Sequence, residues 1–327
     1  MFFYDSKSTS PYENLAMEDY VFSRLARDRD YFLLWQNDRT VVVGKFQNTL
    51  AEVNQEFVDA QQIRVARRLS GGGAVYHDLG NLNYTFIVDA DRAEAFEFRA
   101  FTRPLVETLR DLGVEAESSG RNDVTIQSRK ISGSSQYIRN GRLLHHGCIM
   151  LDTDLSMLGK VLHVSRDKIE SKGTKSVRSR VTTINDCLRT PVTMDRFKAL
   201  FLQHAAAAGD LEDLVLTPED FATIARLRKE KYETWEWNYG RSPECNCRRY
   251  QRFPFGGVTA EMRIQKGIIE QIRFYGDFFG AGELSELEAM LTGLPLTAGA
   301  LASLRETDLS HYIAGMTWDQ MVRLLCY

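Results

Sequence analysis

The sequence predicts an α+β fold, with a mixed and largely antiparallel sheet flanked by helices and a small α+β C-terminal domain. Strand-like and helix-like segments are interspersed along the 327 residues without a regular strand–helix–strand rhythm. Several neighbouring strand segments are separated only by short turns, and Asn140-Gly141 is a strong hairpin signal. Strands joined by such turns pair antiparallel, so these observations together favour the α+β class.

The first third of the chain is predicted to alternate short strands with helices. A Ser-Pro-Tyr-Glu run at 10–13 predicts a capping box with proline at the first helical position. The helix that follows places Met17, Tyr20 and Val21 on one apolar face. After a short N-terminal strand, strands are predicted at 31–35, 40–43, 63–66, 75–76 and 82–88, with a polar turn at 36–39 and a short helix near 54–62.

The middle of the chain contains a long helix, a β-rich block and a basic loop. Strands are predicted at 124–127, 131–139 and 143–151, and helices at 94–112, 193–208 and 218–231, with helical pieces at 153–171. Residues 172–180 are polar and basic and contain Gly and Ser, so we predict a surface loop there.

The chain is predicted to divide into two domains, 1–241 and 253–327. Residues 242–252 between them are polar, contain Pro243 and have few apolar anchors, as is typical of a linker. The second domain is predicted to hold a hairpin at 257–264 and 268–275 and helices near 283–291, 299–305 and 317–325.

Composition and charge narrow the classes of function. With 43% hydrophobic and 26% charged residues, the chain is ordinary for a globular protein. The formal net charge of −3 argues against a nucleic-acid-binding protein. We see no signal peptide and no apolar run of membrane-spanning length, so we expect no membrane association. The five cysteines are an odd number scattered over a long chain, which favours reduced thiols and a cytoplasmic protein.

Residues 67–78 form the most distinctive stretch, Arg-Arg-Leu-Ser-Gly-Gly-Gly-Ala-Val-Tyr-His-Asp. Arg67 and Arg68 carry forked donors suited to phosphate or carboxylate. The glycines at 71–73 have no Cβ, so the backbone there can approach a ligand and turn its N–H groups toward an anion. The stretch is neither a P-loop nor the Rossmann pattern. We interpret it as an anion-binding loop of another kind, the alternative being a surface turn with two solvated arginines.

Two further stretches have a similar character, and all three are expected to converge. They are the Ser-Gly-Arg-Asn-Asp run at 119–123 and the basic loop at 172–180. With Lys130 at the start of a strand, these stretches gather several cations around glycine-containing turns. Such a set of fixed donors suits a polyphosphate and an acyl phosphate that develops charge.

The order of these motifs carries a family resemblance. The chain resembles bacterial lipoate–protein ligases of the two-domain type, within the lipoate and biotin ligase superfamily. Any one motif is weak evidence, but all of them occur in the family's order over nearly the whole chain, with the second domain the least distinctive. The matching stretches are 67–81, 119–123, 129–134, 145–147, 176–181 and 235–240.

The resemblance implies an ATP-dependent ligase that works in two steps. Lipoate attacks the α-phosphate of ATP to give lipoyl-adenylate and pyrophosphate, and the ε-amine of an acceptor lysine then takes the lipoyl group. The acceptors implied are lipoyl domains of 2-oxoacid dehydrogenase E2 subunits or the glycine-cleavage H protein. Mg²⁺ is expected with the triphosphate. The catalytic domain would be related to biotin protein ligases and class II synthetases, the C-terminal domain would swing as the adenylate forms, and we expect a monomer.

The resemblance also implies the residues of the site. Lys130 would be catalytic, because a compact ammonium stabilises negative charge on the acyl carbonyl and the phosphate together. The segment 172–181 would cover the adenylate and exclude water. The residues implied for ATP or the adenylate are Arg68, Gly73, Ala74, Val75, Tyr76, Asn122, Asp123, Lys130, Lys172, Ser176, Val177, Arg178 and Arg180. Those implied for lipoate are Leu69, Ser70, Gly71, Gly72, Gly73, His77, Lys130, Ser132, Gly133, His146 and Gly147.

Metal binding by protein side chains has little support in the sequence. Mg²⁺ would be held mainly through the phosphates, with Asp123 as a further candidate ligand. His145 and His146 are neighbours in a predicted strand, so one is expected in the site wall and the other packed outside it. Cys245 and Cys247 are too closely spaced for the usual zinc pairs, and we interpret them as structural or incidental.

A competing function is a lipoyl or octanoyl acyltransferase that works through a cysteine thioester. In such relatives the cysteine lies in the loop that here spans 118–123, and this chain has no cysteine there. Cys148 falls inside a predicted strand, where we expect burial rather than reactivity. A non-catalytic protein that binds a carrier domain, a nucleic-acid-binding protein and a biotin ligase are weaker alternatives. The sequence does not determine whether lipoate or octanoate is preferred, which protein is the acceptor, or whether a partner protein is needed for transfer.

Overall fold

An eight-stranded mixed sheet forms the centre of the structure, and helices pack on both of its faces. The computed structural model describes residues 1–90, 98–119, 122–162, 180–207, 210–239 and 247–326. Two three-stranded sheets accompany the main sheet, one of them in the C-terminal part of the chain. The predicted α+β class, with a mixed and largely antiparallel sheet flanked by helices, is confirmed.

The strands pair within three sheets. They are β1 Phe2–Asp5, β2 Tyr31–Trp35, β3 Thr40–Val43, β4 Arg64–Arg67, β5 Val75–His77, β6 Asn81–Asp89, β7 Glu117–Ser119, β8 Asp123–Ile126, β9 Arg129–Arg139, β10 Arg142–Met150, β11 Glu212–Asp213, β12 Cys247–Phe253, β13 Gly256–Gln265 and β14 Ile268–Gly276. The main sheet has the order β11-β1-β2-β6-β10-β9-β8-β7, and β1 runs parallel to β11 and β2. The others have the orders β4-β3-β5 and β12-β13-β14.

The described α-helices surround these sheets. They are α1 Pro11–Arg24, α2 Thr49–Glu52, α3 Gln55–Ala60, α4 Arg99–Asp111, α5 Leu158–Val161, α6 Met194–Ala206, α7 Pro218–Leu227, α8 Trp235–Asn238, α9 Leu284–Leu291, α10 Ala298–Leu301, α11 Leu309–Tyr312 and α12 Trp318–Cys326. The predicted hairpin joins β9 to β10 through Asn140 and Gly141, whose φ angles of 52° and 73° suit a tight hairpin turn. None of the described helices is long and apolar enough to cross a membrane.

The predicted capping box at the start of α1 is wrong, although the helix begins where expected. Ser10 is the N-cap residue and Pro11 the first helical residue, but the Ser10 side chain accepts no capping hydrogen bond. The Glu13 carboxylate instead accepts a hydrogen bond from Ser8 Oγ at 3.0 Å. Because Glu13 is tied to the chain ahead of the helix, it does not close the reciprocal pair that a capping box requires.

The predicted linker at 242–252 is wrong for its second half. Residues 247–252 belong to β12, which pairs with β13 from Cys247 opposite Met262 to Phe253 opposite Gly256. This strand lies at the edge of its sheet, and most of its polar side chains are exposed or half-buried. A polar edge strand lacks the apolar signal by which strands are recognised in a sequence.

Both faces of the main sheet are buried, and β2 illustrates this. Tyr31 and Leu33 pack in the apolar core that contains α1, while Phe32 and Leu34 pack in the core that contains α4 and α6. The C-terminal part has a separate core beneath its own sheet, and Phe46 from the larger part inserts into it. The two parts of the chain are therefore in direct contact beside the loop that follows β3.

Arg67, the last residue of β4, holds several main-chain segments together. Its side chain is 7% exposed. Nη1 donates to the carbonyl oxygens of Gly44 and Gln47 at 2.8 and 2.7 Å, and Nε donates to that of Trp237 at 2.8 Å. Nη2 donates to Thr49 Oγ1 at 2.6 Å. Burial lowers the pKa of Arg67 to about 10, so the guanidinium remains charged at neutral pH.

Replacing Arg67 with lysine is expected to destabilise the fold. Lysine keeps the charge, but its ammonium cannot serve carbonyls that lie in several directions. Each buried acceptor left unsatisfied costs about 1–3 kcal/mol, so we expect the free energy of unfolding to fall by about 3 kcal/mol in urea titrations. Arg64→Lys, at an exposed position of the same strand, is the control. Equal unfolding midpoints for the two variants would contradict this structural role.

Candidate active site

A cavity of about 120 Å³ lies between the main sheet and the loop that follows β4. Asn83 on β6, Cys148 on β10 and Gly133 on β9 stand opposite one another in register and line one wall. Residues 72–75 line the other wall. Two larger cavities, of about 530 and 930 Å³, contain neither the glycine loop nor Lys130. We therefore take the smaller cavity as the candidate active site.

More than half of the predicted site residues that the structure describes line this cavity, although they come from separate stretches of the sequence. They are Arg68, Gly72, Gly73, Ala74, Val75, His77, Asn122, Lys130, Gly133, His146 and Gly147. The fold thus brings together the glycine loop, the turn before β8, the start of β9 and the middle of β10.

Seven other predicted residues lie in the described part of the chain but do not line the cavity. They are Leu69, Ser70, Gly71, Tyr76, Asp123, Ser132 and Arg180. Leu69 and Tyr76 belong to apolar cores, and Ser132 is fully buried within β9. Residues 172–179 of the predicted covering segment lie outside the described residues, among them Lys172, Ser176, Val177 and Arg178.

Arg68 supports the glycine loop from within. Its side chain is 7% exposed, Nη2 donates to the carbonyl oxygens of Gly71 and Gly73 at 2.6 and 2.9 Å, and Nε donates to Ser70 Oγ at 3.2 Å. Burial lowers its pKa to about 10. The alternative of a surface turn with two solvated arginines is therefore wrong. The forked donors of Arg67, which suit a phosphate or carboxylate, are bonded to the protein instead.

The glycines of the loop make two different kinds of contact. A Cβ on Gly71 would lie 2.3 Å from the carbonyl oxygen of Phe278. Gly72, with a φ of 89°, donates its N–H to the same oxygen at 3.1 Å, so these two glycines allow the C-terminal part to approach. A Cβ on Gly73 would meet nothing within 4 Å, and Gly73 lines the cavity. Gly73 is therefore the glycine at which a ligand has room to contact the backbone.

A buried chain of hydrogen bonds fixes the side of the loop. Ser70 Oγ lies 2.6 Å from His146 Nε2, and His146 Nδ1 lies 2.9 Å from Glu18 Oε1. The same Glu18 oxygen accepts a hydrogen bond from Thr85 Oγ1 at 2.6 Å. Ser70 and Glu18 have no exposed surface, and His146 is 6% exposed. The chain connects the loop to α1 and β6, and it sets the orientation of His146 in the cavity wall.

Lys130 stands where the cavity meets two loops. Its Nζ lies 2.7 Å from Asp123 Oδ1, and its side chain is 33% exposed. Its main-chain N–H donates at 2.9 Å to the carbonyl oxygen of Arg180, which belongs to the segment predicted to cover the adenylate. A Cβ on Gly133 would lie 2.5 Å from Nζ, so the ammonium rests against a residue without a side chain. Lys130 is thus a half-exposed cation held at the cavity wall by one carboxylate.

Two buried donors in the cavity wall have no partner among the described residues. Asn37 Nδ2 donates to His77 Nδ1 at 3.3 Å, and Asn37 is oriented by Asn14, which donates to its Oδ1 at 3.1 Å. Burial lowers the pKa of His77 to about 3, so the ring is neutral and its proton sits on the unpartnered Nε2. Asn83 Nδ2 is the second such donor. A buried donor without a partner is costly, so both indicate acceptors on a bound ligand.

The two neighbouring histidines point to opposite faces, as predicted. His146 lines the cavity, while His145 packs against Phe98 and Phe101 with ring-centroid distances of 5.5 and 4.6 Å. Burial lowers the pKa of His145 well below its usual value. Within the described part of the chain, no group of three His, Cys, Asp or Glu side chains is arranged to hold a metal ion.

The expectation that Cys148 is simply buried is wrong. The residue is half-buried, lines the cavity, and its Sγ lies 3.6 Å from the carbonyl oxygen of Gly133. Sequence reasoning also missed other lining residues, which are Trp35, Val42, Asn83, Ser134 and Ser135. A usable signal was present in β6, where Asn81, Asn83 and Thr85 alternate with apolar residues and so share one face.

Two family profiles match the chain, one in each of its two parts. The profile of the Lipoyl protein ligase A/B catalytic domain matches residues 10–206. The profile of the Bacterial lipoate protein ligase C-terminus matches residues 242–325.

Relatives of similar length are similar from end to end. Lipoate-protein ligase LplJ of Bacillus subtilis is 41% identical over 99% of this chain and 100% of its own length. Lipoate–protein ligase 1 of Staphylococcus aureus is 42% identical, with 99% of each chain covered.

Solved structures share the fold. LipL1 of P. falciparum in complex with lipoate has a TM-score of 0.80 at 20% identity, with 94% of each chain covered, which supports the fold alone. A bipartite lipoate protein ligase, described with its E2 lipoyl domain from Thermoplasma acidophilum, has a TM-score of 0.66 at 30% identity over 74% of this chain and 98% of its own. Lipoate-protein ligase A bound with ATP has a TM-score of 0.64 at 27% identity over 73% of this chain and 98% of its own.

The motifs, the fold and the cavity agree with these similarities. The resemblance noted in the sequence is confirmed by two family profiles that together span most of the chain and by end-to-end relatives above 40% identity. The chain is an enzyme of the ligase class and belongs to the lipoate–protein ligase family.

Proposed function

We propose that the protein activates lipoate with ATP and transfers the lipoyl group to a lysine of an acceptor domain. In the first step a lipoate carboxylate oxygen bonds to the α-phosphorus, and the bond from that phosphorus to the pyrophosphate oxygen breaks. In the second step a lysine amine bonds to the acyl carbon, AMP leaves, and the amine loses a proton. The position of Lys130 in the cavity wall beside the glycine loop is the observation that carries this proposal.

Lys130 acts by stabilising charge. In the free enzyme its ammonium pairs with Asp123 at 2.7 Å, and it exchanges this partner for oxygens of the acyl group and the α-phosphate when the substrates bind. A point charge with three rotatable donors serves two oxygens of different groups, whereas the planar fork of arginine does not. Preorganised charge of this kind contributes most where negative charge develops in the transition state.

The ATP side of the cavity is formed by residues 73–75 and Asn122, with Arg68 acting through the loop that it supports. Asn122 is held in place because its Nδ2 donates to the Ser134 carbonyl oxygen at 2.6 Å. Tyr76, Asp123 and Arg180 stand behind or beside this wall. The covering segment at 172–181, with Lys172, Ser176, Val177, Arg178 and Arg180, remains part of the proposal.

The lipoate side of the cavity is formed by the other lining residues. The residues that border it are Gly72, Gly73, Gly133, His146 and Gly147. The missed residues Trp35, Val42 and Ser135 add to this wall, and Leu69, Ser70, Gly71 and Ser132 support it from behind. The unpartnered donors on His77 and Asn83 supply two hydrogen bonds for ligand acceptors. Lipoate and octanoate both fit this description.

Mg²⁺ fits the site as a partner of the phosphates. The side-chain oxygens of Asp123 are hard ligands of the type that Mg²⁺ prefers, and this carboxylate is released when Lys130 turns to substrate. A single protein carboxylate is sufficient for a Mg²⁺ site when the substrate phosphates supply further oxygen ligands. When bound, the ion neutralises charge on the triphosphate.

We further propose the cellular context that the resemblance implies. The acceptors are lipoyl domains of 2-oxoacid dehydrogenase E2 subunits or the glycine-cleavage H protein, and the enzyme acts as a monomer in the cytoplasm. Four cysteines in the described part of the chain are free thiols, which suits a reducing compartment. Residues 1–241 serve as the catalytic domain, and the part from residue 253 serves as an accessory domain.

A thioester mechanism is the second candidate, because a thiol lines the cavity. Cys148 would have to take the acyl group from a carrier and pass it to the acceptor lysine. Its Sγ contacts the carbonyl oxygen of Gly133, which is not a base that could remove the thiol proton. We therefore favour adenylation, and the two mechanisms separate experimentally.

Lys130→Ala should abolish the first step. We expect lipoate-dependent pyrophosphate release from ATP to fall by at least about 100-fold, because a preorganised charge is removed from the transition state. The acceptor lipoyl domain, followed by mass spectrometry in the same reaction, should gain the lipoyl mass only with the wild-type enzyme.

Lys160→Ala is the matched control, since Lys160 is exposed and belongs to α5 outside the cavity. It should retain wild-type rates. Pyrophosphate release by Lys130→Ala at the rate of this control would remove the basis of the proposal.

Cys148→Ser separates the two mechanisms. Adenylation gives the thiol no covalent role, so ligation with free lipoate and ATP should stay within about twofold of wild type. Mass spectrometry of acid-quenched wild-type enzyme should show no acyl adduct on Cys148. Loss of transfer in the variant together with an adduct on the wild-type thiol would establish the thioester route instead.

A further inference from the structure

A second cavity, of about 530 Å³, lies among α1, the β9–β10 hairpin and α7. It is far from the active site, because Lys130 and Arg139 lie near opposite ends of β9, about 30 Å apart at the rise of an extended strand. Its charged side chains are predominantly cationic. They are Arg24, Arg27, Arg139, Arg142, Arg226 and Lys231, together with the carboxylates of Asp19 and Glu230.

Most of this positive charge is not neutralised within the cavity. Asp19 is paired with Lys231 at 2.9 Å and also accepts a hydrogen bond from the Tyr232 hydroxyl at 3.0 Å. Lys231 and Asp19 thus neutralise each other and leave the net charge of the other lining residues unchanged. Five arginines then face the single carboxylate of Glu230 among the lining residues. An excess of fixed cations around a concave surface attracts multivalent anions.

Arg142 is the buried centre of this cluster. It is 3% exposed, and its Nη1 donates to the carbonyl oxygens of Val21, Phe22 and Leu25 at 3.1, 2.8 and 3.3 Å. These carbonyls end α1, where helical partners run out, so Nη1 caps the helix and fixes the guanidinium plane.

The other edge of the same guanidinium has no partner. Nε and Nη2 of Arg142 are buried and make no hydrogen bond to the described residues. These two nitrogens form the side-on edge that binds a carboxylate or phosphate through two parallel hydrogen bonds. Burial lowers the pKa of Arg142, and Arg27 adds to this, while Asp30 and Asp89 act in the opposite direction. The carboxylates of Asp30 and Asp89 are close enough to interact electrostatically with Arg142, yet neither is hydrogen-bonded to its Nε or Nη2.

We propose that this cavity is a binding site for a phosphate-class oxyanion, distinct from the ATP site. Arg24, Arg27, Arg139 and Arg226 surround the phosphoryl oxygens in the cavity. The free edge of Arg142 has no exposed surface in the unliganded protein, and it binds one phosphoryl group side-on once the side chains that cover it move aside. A phosphoryl group carries more than one charge, which matches five arginines better than a single carboxylate does. The cavity volume exceeds what inorganic phosphate fills, so the site has room for pyrophosphate or a small phosphorylated molecule.

Calorimetric titration with pyrophosphate tests the site on the full-length protein. The titrations use the Lys130→Ala variant as background, so that binding at the active site does not contribute through that lysine. We expect one pyrophosphate to bind, and binding to weaken by at least about tenfold when Arg139→Ala and Arg226→Ala are added, since two cations are lost. Both arginines are exposed and neither caps α1, so the unfolding midpoint should not change.

The matched control adds Arg189→Ala and Arg196→Ala, which remove the same charge from exposed positions outside the cavity. It should bind pyrophosphate as the background does. A parallel titration with citrate separates phosphate from polycarboxylate, and we expect weaker binding of citrate. Three results would each overturn the proposal: no pyrophosphate binding to the background, equal weakening by the control pair, or citrate binding as tight as pyrophosphate.

Discussion

The burial of two adjacent guanidinium groups is the constraint on which the candidate active site depends. Arg67 and Arg68 enter the protein at the end of β4 and donate mainly to main-chain carbonyls. Arg67 fixes the segment after β3 and the α8 region, and Arg68 fixes the glycine loop. Because a buried cation must be surrounded by acceptors, the loop has little freedom to adopt another path. Arg67 therefore stabilises the chain around the loop, and Arg68 stabilises the loop itself.

The loop is held from three sides, which leaves one backbone position open. Arg68 lies beneath it, the Ser70–His146–Glu18 chain fixes its side, and the carbonyl oxygen of Phe278 accepts the Gly72 N–H above it. The remaining glycine, Gly73, faces the cavity with room for a ligand. The glycine loop is thus a rigid wall of the cavity, opposite Lys130. The loop positions the substrates, and Lys130 supplies the charge. Such a division suits a reaction that depends mainly on orientation and electrostatics.

Much of the fold could be predicted from the local residue pattern, whereas the arrangement of the site depends on the pairing of strands that are distant in sequence. The turn at Asn140-Gly141 was readable because its residues favour positive φ, and the glycine loop was readable as a site from its composition. The position of Cys148 was not, since it depends on its register with Gly133 and Asn83 on two other strands. The role of Arg67 also escaped prediction, because its acceptors are carbonyls of Gly44, Gln47 and Trp237, far away in sequence, which leave no pattern in residue type.

Lys130 reaches the substrates from its place beside Gly133, where its ammonium has room only because residue 133 lacks a side chain. Gly133→Ala tests this placement most directly, because the new methyl group would displace Nζ without removing the charge. We expect lipoate-dependent pyrophosphate release to fall by about 100-fold, as for a catalytic group moved by about 1 Å, while the unfolding midpoint is unchanged. Gly159→Ala, where a Cβ meets nothing within 4 Å, should be neutral. A wild-type rate in Gly133→Ala would show that the position of the Lys130 ammonium does not determine the rate.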